Sequence, residues 1–159
     1  MDRFSAEVIK SHNKCRRQHN VAELRHSKDL SILAQKWADH LASINRPIHS
    51  NDTYKGEKLG ENVARVWRSI GAEHTGQEVT KEWYSERTNY DFKLGKFTTG
   101  VGHFTQLIWK DSREIGVGKS LTRDGQIFVV CNYYPSGNIY GKFTENVFPP
   151  KYNFFTTFF

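Results

Sequence analysis

Two residues able to do acid–base chemistry stand out because glycine surrounds them. His103 lies in Gly100-Val101-Gly102-His103-Phe104-Thr105, and Glu61 lies in Gly60-Glu61-Asn62. Glycine lets a loop carry a side chain into a place where a bulkier backbone would clash. An imidazole shown in this way can pass a proton or take a metal ion, and a carboxylate can orient it. The common catalytic strings are absent: there is no His-Glu-x-x-His, no Gly-x-Ser-x-Gly and no Gly-Lys-Ser phosphate loop. The chain has seven histidines, so a single one is more commonly a core or surface residue than a ligand. Glu78, Glu82 and Glu86 repeat every fourth residue and share one helix face, ordinarily a solvated stripe. Glu86 falls in the last turn, where a negative charge opposes the helix dipole, and this misfit marks it for a pairing or a functional role.

The elements that would position these groups follow from periodicity. A helix is predicted over 4–19, with Phe4, Val8, His12, Cys15 and His19 on one face, Ser5 as cap and Asn20 as stop. A second begins after Ser27, buries Leu30, Leu33, Ala34, Trp37, Ala38 and Leu41, and ends before Pro47. Residues 47–62 read as loop, Asn62–Ser69 as a short helix, and Thr75 as the cap of a third helix to about Thr88, with Val79, Trp83 and Tyr84 inward. Residues 89–103 form a long ordered loop, and Gln106–Trp109 begins an extended run. Two strands, 114–119 and 126–134, flank an Asp124-Gly125 hairpin turn. Helices first and a hairpin last predict an α+β domain with helices on the sheet faces.

Composition narrows the class. The chain has 159 residues and a net charge of +6, with the basic residues scattered. A diffuse positive field suits an anionic membrane surface, and equally a plain solvated surface. No nucleic-acid signature is present, so no nucleic-acid partner is expected. Two cysteines, Cys15 and Cys131, are too few for a disulfide framework and are expected to be buried thiols. Residues 1–25 carry no apolar signal region, and residue 2 is Asp rather than Gly, which excludes N-myristoylation of the chain as written. A cytoplasmic setting, peripheral to membranes, is expected, with an extracellular mature chain as the alternative. The tail 151–159 is aromatic-rich and nearly uncharged; it needs cover from the domain, a partner or a membrane.

Gly102-His103-Phe104-Thr105-Gln106-Leu107-Ile108-Trp109 resembles the first signature of the CAP superfamily, the cysteine-rich secretory, antigen 5 and pathogenesis-related proteins. The run from Phe128 to Ile139 resembles the second. His12-Asn13 with Arg16, Gly60-Glu61-Asn62 and Trp83-Tyr84-Ser85-Glu86 support the match, and Asn146-Val147-Phe148-Pro149-Pro150 resembles the close of the Golgi-associated branch. The resemblance implies one domain over residues 1–150, a three-layer α-β-α sandwich with a central cleft. It also implies a cleft set of two histidines and two glutamates, His49, Glu61, Glu86 and His103, with Zn²⁺ on His49 and His103. Family members resemble binding proteins more than enzymes, and two imidazoles fall short of the usual three protein ligands of a catalytic zinc.

Tyr90, Phe92 and Phe97 share an aromatic-x-aromatic-x₄-aromatic spacing with Lys93 and Lys96 between them. This resembles the sterol-binding loop of relatives, while ordinary loop packing explains the same pattern. The expectation is therefore a non-enzymatic domain that binds lipid or sterol at anionic membranes. The alternatives are a metal-dependent hydrolase or protease using the four cleft residues, and a homodimeric interaction module.

Overall fold

The structure, a computed structural model, describes residues 1–67 and 75–151. Helix α1 (Arg3–Gln18) starts earlier than the periodicity suggests. The Asp2 carboxylate accepts the Ser5 N–H at 2.7 Å, so Asp2 is the cap and Ser5 sits buried in the first turn. The inward face is as expected, and Asn20 at the stop has a φ of 61°. Strand β1 (Arg25–His26) leads to α2 (Lys28–Ile44), capped by Ser27 and closed by Asn45 in the left-handed conformation. Leu30, Ala34, Ala38 and Leu41 are fully buried, while Leu33 and Trp37 are half-buried.

The short strands β2 (Thr53–Tyr54) and β3 (Glu57–Lys58) pair with each other. The expected helix at Asn62–Ser69 is instead strand β4 (Gly60–Trp67); residues 68–69 lie outside the described part. Helix α3 (Gly76–Ser85), capped by Thr75, gives way to a 3₁₀ turn at Glu86–Asn89. The expected extended run at Gln106–Trp109 is overturned as well: Gln106 and Leu107 close helix α4 (Gly102–Leu107). Strands β5 (Glu114–Leu121) and β6 (Gln126–Tyr134) form the expected hairpin, with Gly125 at a φ of 90° in its turn.

The main sheet has the order β1-β5-β6-β4, with β1 parallel to β5 and the other pairs antiparallel. Strand β6 is covered on both faces, which requires apolar residues on both. Ile127, Val129, Cys131 and Tyr133 join the core shared with α1, α3 and α4, whereas Phe128 and Val130 pack with Ala34, Ala38 and Leu41 of α2. The result is an α+β domain in three layers, α-β-α. Helix α2 lies against the sheet because β5 carries glycine beneath it. A Cβ at Gly116 would lie 2.2 Å from the Leu30 carbonyl carbon, and one at Gly118 would lie 2.4 Å from the Gln35 nitrogen.

Polar groups stitch the other face. The fully buried Arg16 guanidinium donates to the carbonyls of Ala22, Leu107, Trp109 and Ser112 at 2.7–3.1 Å. It thereby ties α1 to the chain that leaves α4, and burial of the charge brings its pKa down to about 10. His19 donates from Nδ1 to the Phe148 carbonyl and accepts at Nε2 from the Tyr84 hydroxyl, pinning the C-terminal segment to α1. Cys15 and Cys131 are free and buried; burial pushes the Cys15 thiol up to about 12 and raises Cys131 too. No helix among the described residues is long and apolar enough to cross a membrane.

Candidate functional site

Four side chains far apart in the chain line one cavity of about 590 Å³: His49, Glu61, Glu86 and His103. Each histidine is held by one carboxylate. On β4, Glu61 accepts from the Ser50 N–H at 2.8 Å, the Ser50 hydroxyl at 2.6 Å and His49 Nδ1 at 3.0 Å. Three donors compensate a carboxylate whose side chain is only 6% exposed. One acidic residue thus fixes the loop that leads out of α2, and with it His49. His49 Nε2 has no hydrogen-bond partner among the described residues.

Glu86 sits where α3 passes into the 3₁₀ turn, and its charge finds a positive helix end elsewhere. Its Oε1 accepts the Phe104 N–H at 3.0 Å, within the first turn of α4, whose own cap position, Val101, has no capping side chain. Its Oε2 accepts from His103 Nδ1 at 2.8 Å. The misfit visible in the sequence is resolved by supplying the missing cap of another helix. His103 lies flat on Trp83, with centroids 5.6 Å apart and planes 4° from parallel, and its Nε2 meets the Val63 carbonyl at 3.2 Å.

Residues inside or beside the sequence motifs, but outside the expected set of four cleft groups, complete the frame. Asn62 donates from Nδ2 to the His103 carbonyl at 3.1 Å and to the Tyr133 hydroxyl at 3.2 Å. Tyr133 lies 2.6 Å from His12 Nε2, and His12 Nδ1 donates to the Val8 carbonyl. Burial lowers His12 to about 3 and raises Tyr133, so this buried line stays uncharged at neutral pH. Asn138 closes the opposite rim, donating to the Gly102 carbonyl at 2.9 Å. Phe97, Tyr140 and Phe143 give the cavity an apolar side. An Asn beside Glu61 and an aromatic pair after the second signature were available as signals, but neither has meaning until the sheet closes.

The structure divides the aromatic loop. Tyr90 is buried, with its ring 4.9 Å from that of Phe92 and 6.0 Å from that of Phe104. Phe92 is half-buried and stacks on His19 at 6.4 Å. Only Phe97 of the three lines the cavity, 53% exposed, with its ring 6.1 Å from Phe143.

A divalent cation fits this set by donor type. Both carboxylates hold the Nδ1 of an imidazole, the arrangement that orients metal-bound histidine. The placement asks for one adjustment, because His103 Nε2 is engaged by the Val63 carbonyl. Among the described residues no three His, Cys, Asp or Glu side chains converge as a metal group.

The sandwich agrees with the comparisons. The model of the CAP family, "Cysteine-rich secretory protein family", matches residues 9–133, and the chain belongs to that family. Within it the chain is of the Golgi-associated and pathogenesis-related 1 type. Golgi-associated plant pathogenesis-related protein 1 of Homo sapiens is 45% identical over 150 residues, 93% of this chain and 94% of the relative. The basic form of pathogenesis-related protein 1 of Nicotiana tabacum is 31% identical over 137 residues, 86% of this chain and 72% of the relative. The solved structure of BmVAL-1 superposes with a TM-score of 0.70 at 25% identity, covering 88% of this chain and 80% of that one.

Proposed function

We propose that this chain is a non-enzymatic CAP domain that binds lipid amphiphiles, sterols among them, at anionic membrane surfaces through the mouth of the cleft. One observation carries the reading. Phe97 and Tyr140 line the cleft yet remain 53% and 92% exposed, and Lys93, Lys96 and Lys142 are exposed on the same two loops. Rings at a cleft mouth suit the apolar body of an amphiphile, and the ammonium groups suit anionic headgroups. The Golgi association in the human relative's name supports a peripheral position at Golgi membranes for this chain. The Ser50 hydroxyl is given to Glu61 rather than to an imidazole, which favours binding over hydrolysis.

Sedimentation with phosphatidylserine–phosphatidylcholine vesicles tests the reading. Phe97→Asp combined with Tyr140→Ser is expected to weaken binding about tenfold, and raised salt to weaken the wild type. Labelled cholesterol is the second ligand to try. Equal vesicle binding by both proteins rejects the cleft mouth as the membrane-facing surface. Phe92 is unsuited to this test because it packs on His19.

A second reading rests on the two carboxylate-held imidazoles: His49 and His103 would hold Zn²⁺. The ion would supply a Lewis acid in the cleft. Calorimetric titration with zinc is expected to give heat with the wild type and none with His49→Ala plus His103→Ala. Unchanged affinity in the double variant removes the site.

A further inference from the structure

Away from the cleft, and apart from the aromatic tail at 152–159, which lies outside the described residues, a second cavity of about 520 Å³ opens between the first turns of α1 and α2. Its size is that of a small-ligand site. Met1, Ile32 and Val117 give it an apolar wall, and His26, Lys28 and Ser31 line it with groups that can react. The Ser31 hydroxyl lies 2.9 Å from His26 Nε2 and accepts the Val117 N–H at 3.0 Å. With one lone pair engaged by that N–H, the hydroxyl donates its proton to Nε2 and keeps a second lone pair for attack. A hydroxyl that gives its proton to an imidazole is the arrangement of an activated nucleophile.

The fold holds Ser31 in this position. Strand β5 carries Gly116 beneath α2, where a Cβ would lie 2.3 Å from the Ser31 nitrogen. One turn further on, Gln35 accepts the Lys119 N–H at 3.1 Å and donates to the Lys119 carbonyl at 2.7 Å, so α2 is bonded along the edge of β5 much as a strand would be. The hydroxyl is therefore oriented before any reagent arrives. Thr80 and His12 make the useful contrast. Their Oγ1 and Nδ1 lie 3.2 Å apart, but both side chains are sealed in the core and Thr80 donates to the Gly76 carbonyl. Ser31 is half-buried and His26 is exposed, so an outside molecule reaches this pair.

We infer that Ser31 is an acyl-acceptor site with His26 as its base, and that its donor is an activated ester carrying a short apolar acyl group. Ser31 Oγ attacks the acyl carbon, and its proton passes to His26 Nε2. The bond from Oγ to that carbon forms as the bond from the carbon to the leaving oxygen breaks. The leaving oxygen departs with the bonding pair and takes the proton from His26. Ser31 lies in the first turn of α2, whose positive end, together with Lys28, favours the negative charge that grows on the carbonyl oxygen. Among the described residues nothing is bonded to His26 Nδ1, so the pair lacks the orienting carboxylate of a triad that turns over, and it loads one acyl group per chain. None of these residues takes part in the lipid binding proposed above, so either reading can fall without the other.

The test uses para-nitrophenyl acetate on the full chain, read by mass spectrometry of the tryptic peptide Asp29–Lys36, in which Ser31 is the only hydroxyl. Wild type is expected to gain one acetyl group there, and Ser31→Ala none. His26→Ala removes an exposed side chain and leaves the Val117–Ser31 bond in place; its acetylation is expected to be roughly 100-fold slower. Free imidazole should restore acetylation of that peptide in His26→Ala but not in Ser31→Ala. Wild type unfolded in urea should stay unlabelled at this peptide.

Acetyl groups on lysines and the Met1 amine alone overturn the inference. So does equal labelling of the unfolded chain, which makes Ser31 an ordinary hydroxyl. An undiminished rate in His26→Ala, or no recovery with imidazole, removes His26 as the base and overturns it as well.

Discussion

Trp83 and His103 lie face to face, 5.6 Å between ring centroids and 4° from parallel, although one belongs to α3 and the other to α4. Trp83 is 3% exposed, so the cleft histidine rests on a rigid part of the core. Trp83→Phe keeps an aromatic core and shrinks the platform. It is expected to cost about 1–3 kcal/mol for the lost volume and to shift the His103 ring proton resonances. Urea denaturation and histidine-selective NMR read the two effects separately. An unchanged His103 spectrum would mean that the stacking does not define its environment.

Glu86 does two jobs, capping α4 through the Phe104 N–H and holding His103 Nδ1. Glu86→Ala removes both and is expected to destabilise by about 1–2 kcal/mol, the scale of a lost helix cap. Glu86→Gln keeps an acceptor for Phe104 and should recover at least half of that loss. Chemical denaturation of the three proteins decides. Equal stability of Glu86→Ala and wild type would show that the carboxylate is dispensable to the fold.

Acid should loosen this protein before its carboxylates titrate. Burial lowers His12 to about 3 and His19 to about 4, from 6.5 in an unfolded chain. Below pH 6.5 the unfolded chain therefore binds more protons than the folded one, and stability falls with pH until the folded values are reached. Each histidine contributes a slope of at most about 1.4 kcal/mol per pH unit in that window. Thermal melts from pH 7 to 4.5 should show the decline starting near pH 6. His19→Gln should lessen the slope and leave the part due to His12, and a flat profile in the wild type would contradict the assignment.

The glycines of β5 allow the layers to touch. Gly116→Ala would set a methyl 2.2 Å from backbone of α2, which cannot swing aside as a side chain can. The expected loss is about 3 kcal/mol, the upper end for overpacking. Gly141→Ala is the instructive contrast, since no atom lies within 4 Å of its Cβ and only its φ of 81° resists the change. Melting temperatures compare the two directly; a smaller fall for Gly116→Ala would mean that α2 can lift off the sheet.

Much of this was legible in the sequence, and the failures share a cause. Helices α1 and α2 and the β5–β6 hairpin have strong local periods. Strand β4 reads as a helix because Asn62-Val63-Ala64-Arg65-Val66-Trp67 shows no clean alternation at a sheet edge whose far half is partly exposed. What makes it a strand is an eight-residue ladder to β6, a partner some sixty to seventy residues away. Leu107-Ile108-Trp109 reads as extended because all three are enclosed, and a short apolar run has no period to measure. For the cleft, one long motif pointed to His103, and short ones to Glu61, Glu86 and His49. The roles of Asn62 and Phe143 arise only from contacts across the fold.

Glu61 holds both His49 and the Ser50 backbone from the floor of the sheet, so the stretch between α2 and β4 is anchored at its middle rather than at its ends. Length changes on the far side of that anchor, between Asp52 and Gly60, need not disturb the imidazole. An engineer could splice a recognition tag into the Lys55-Gly56 bend and leave the chemistry of the hollow where it was.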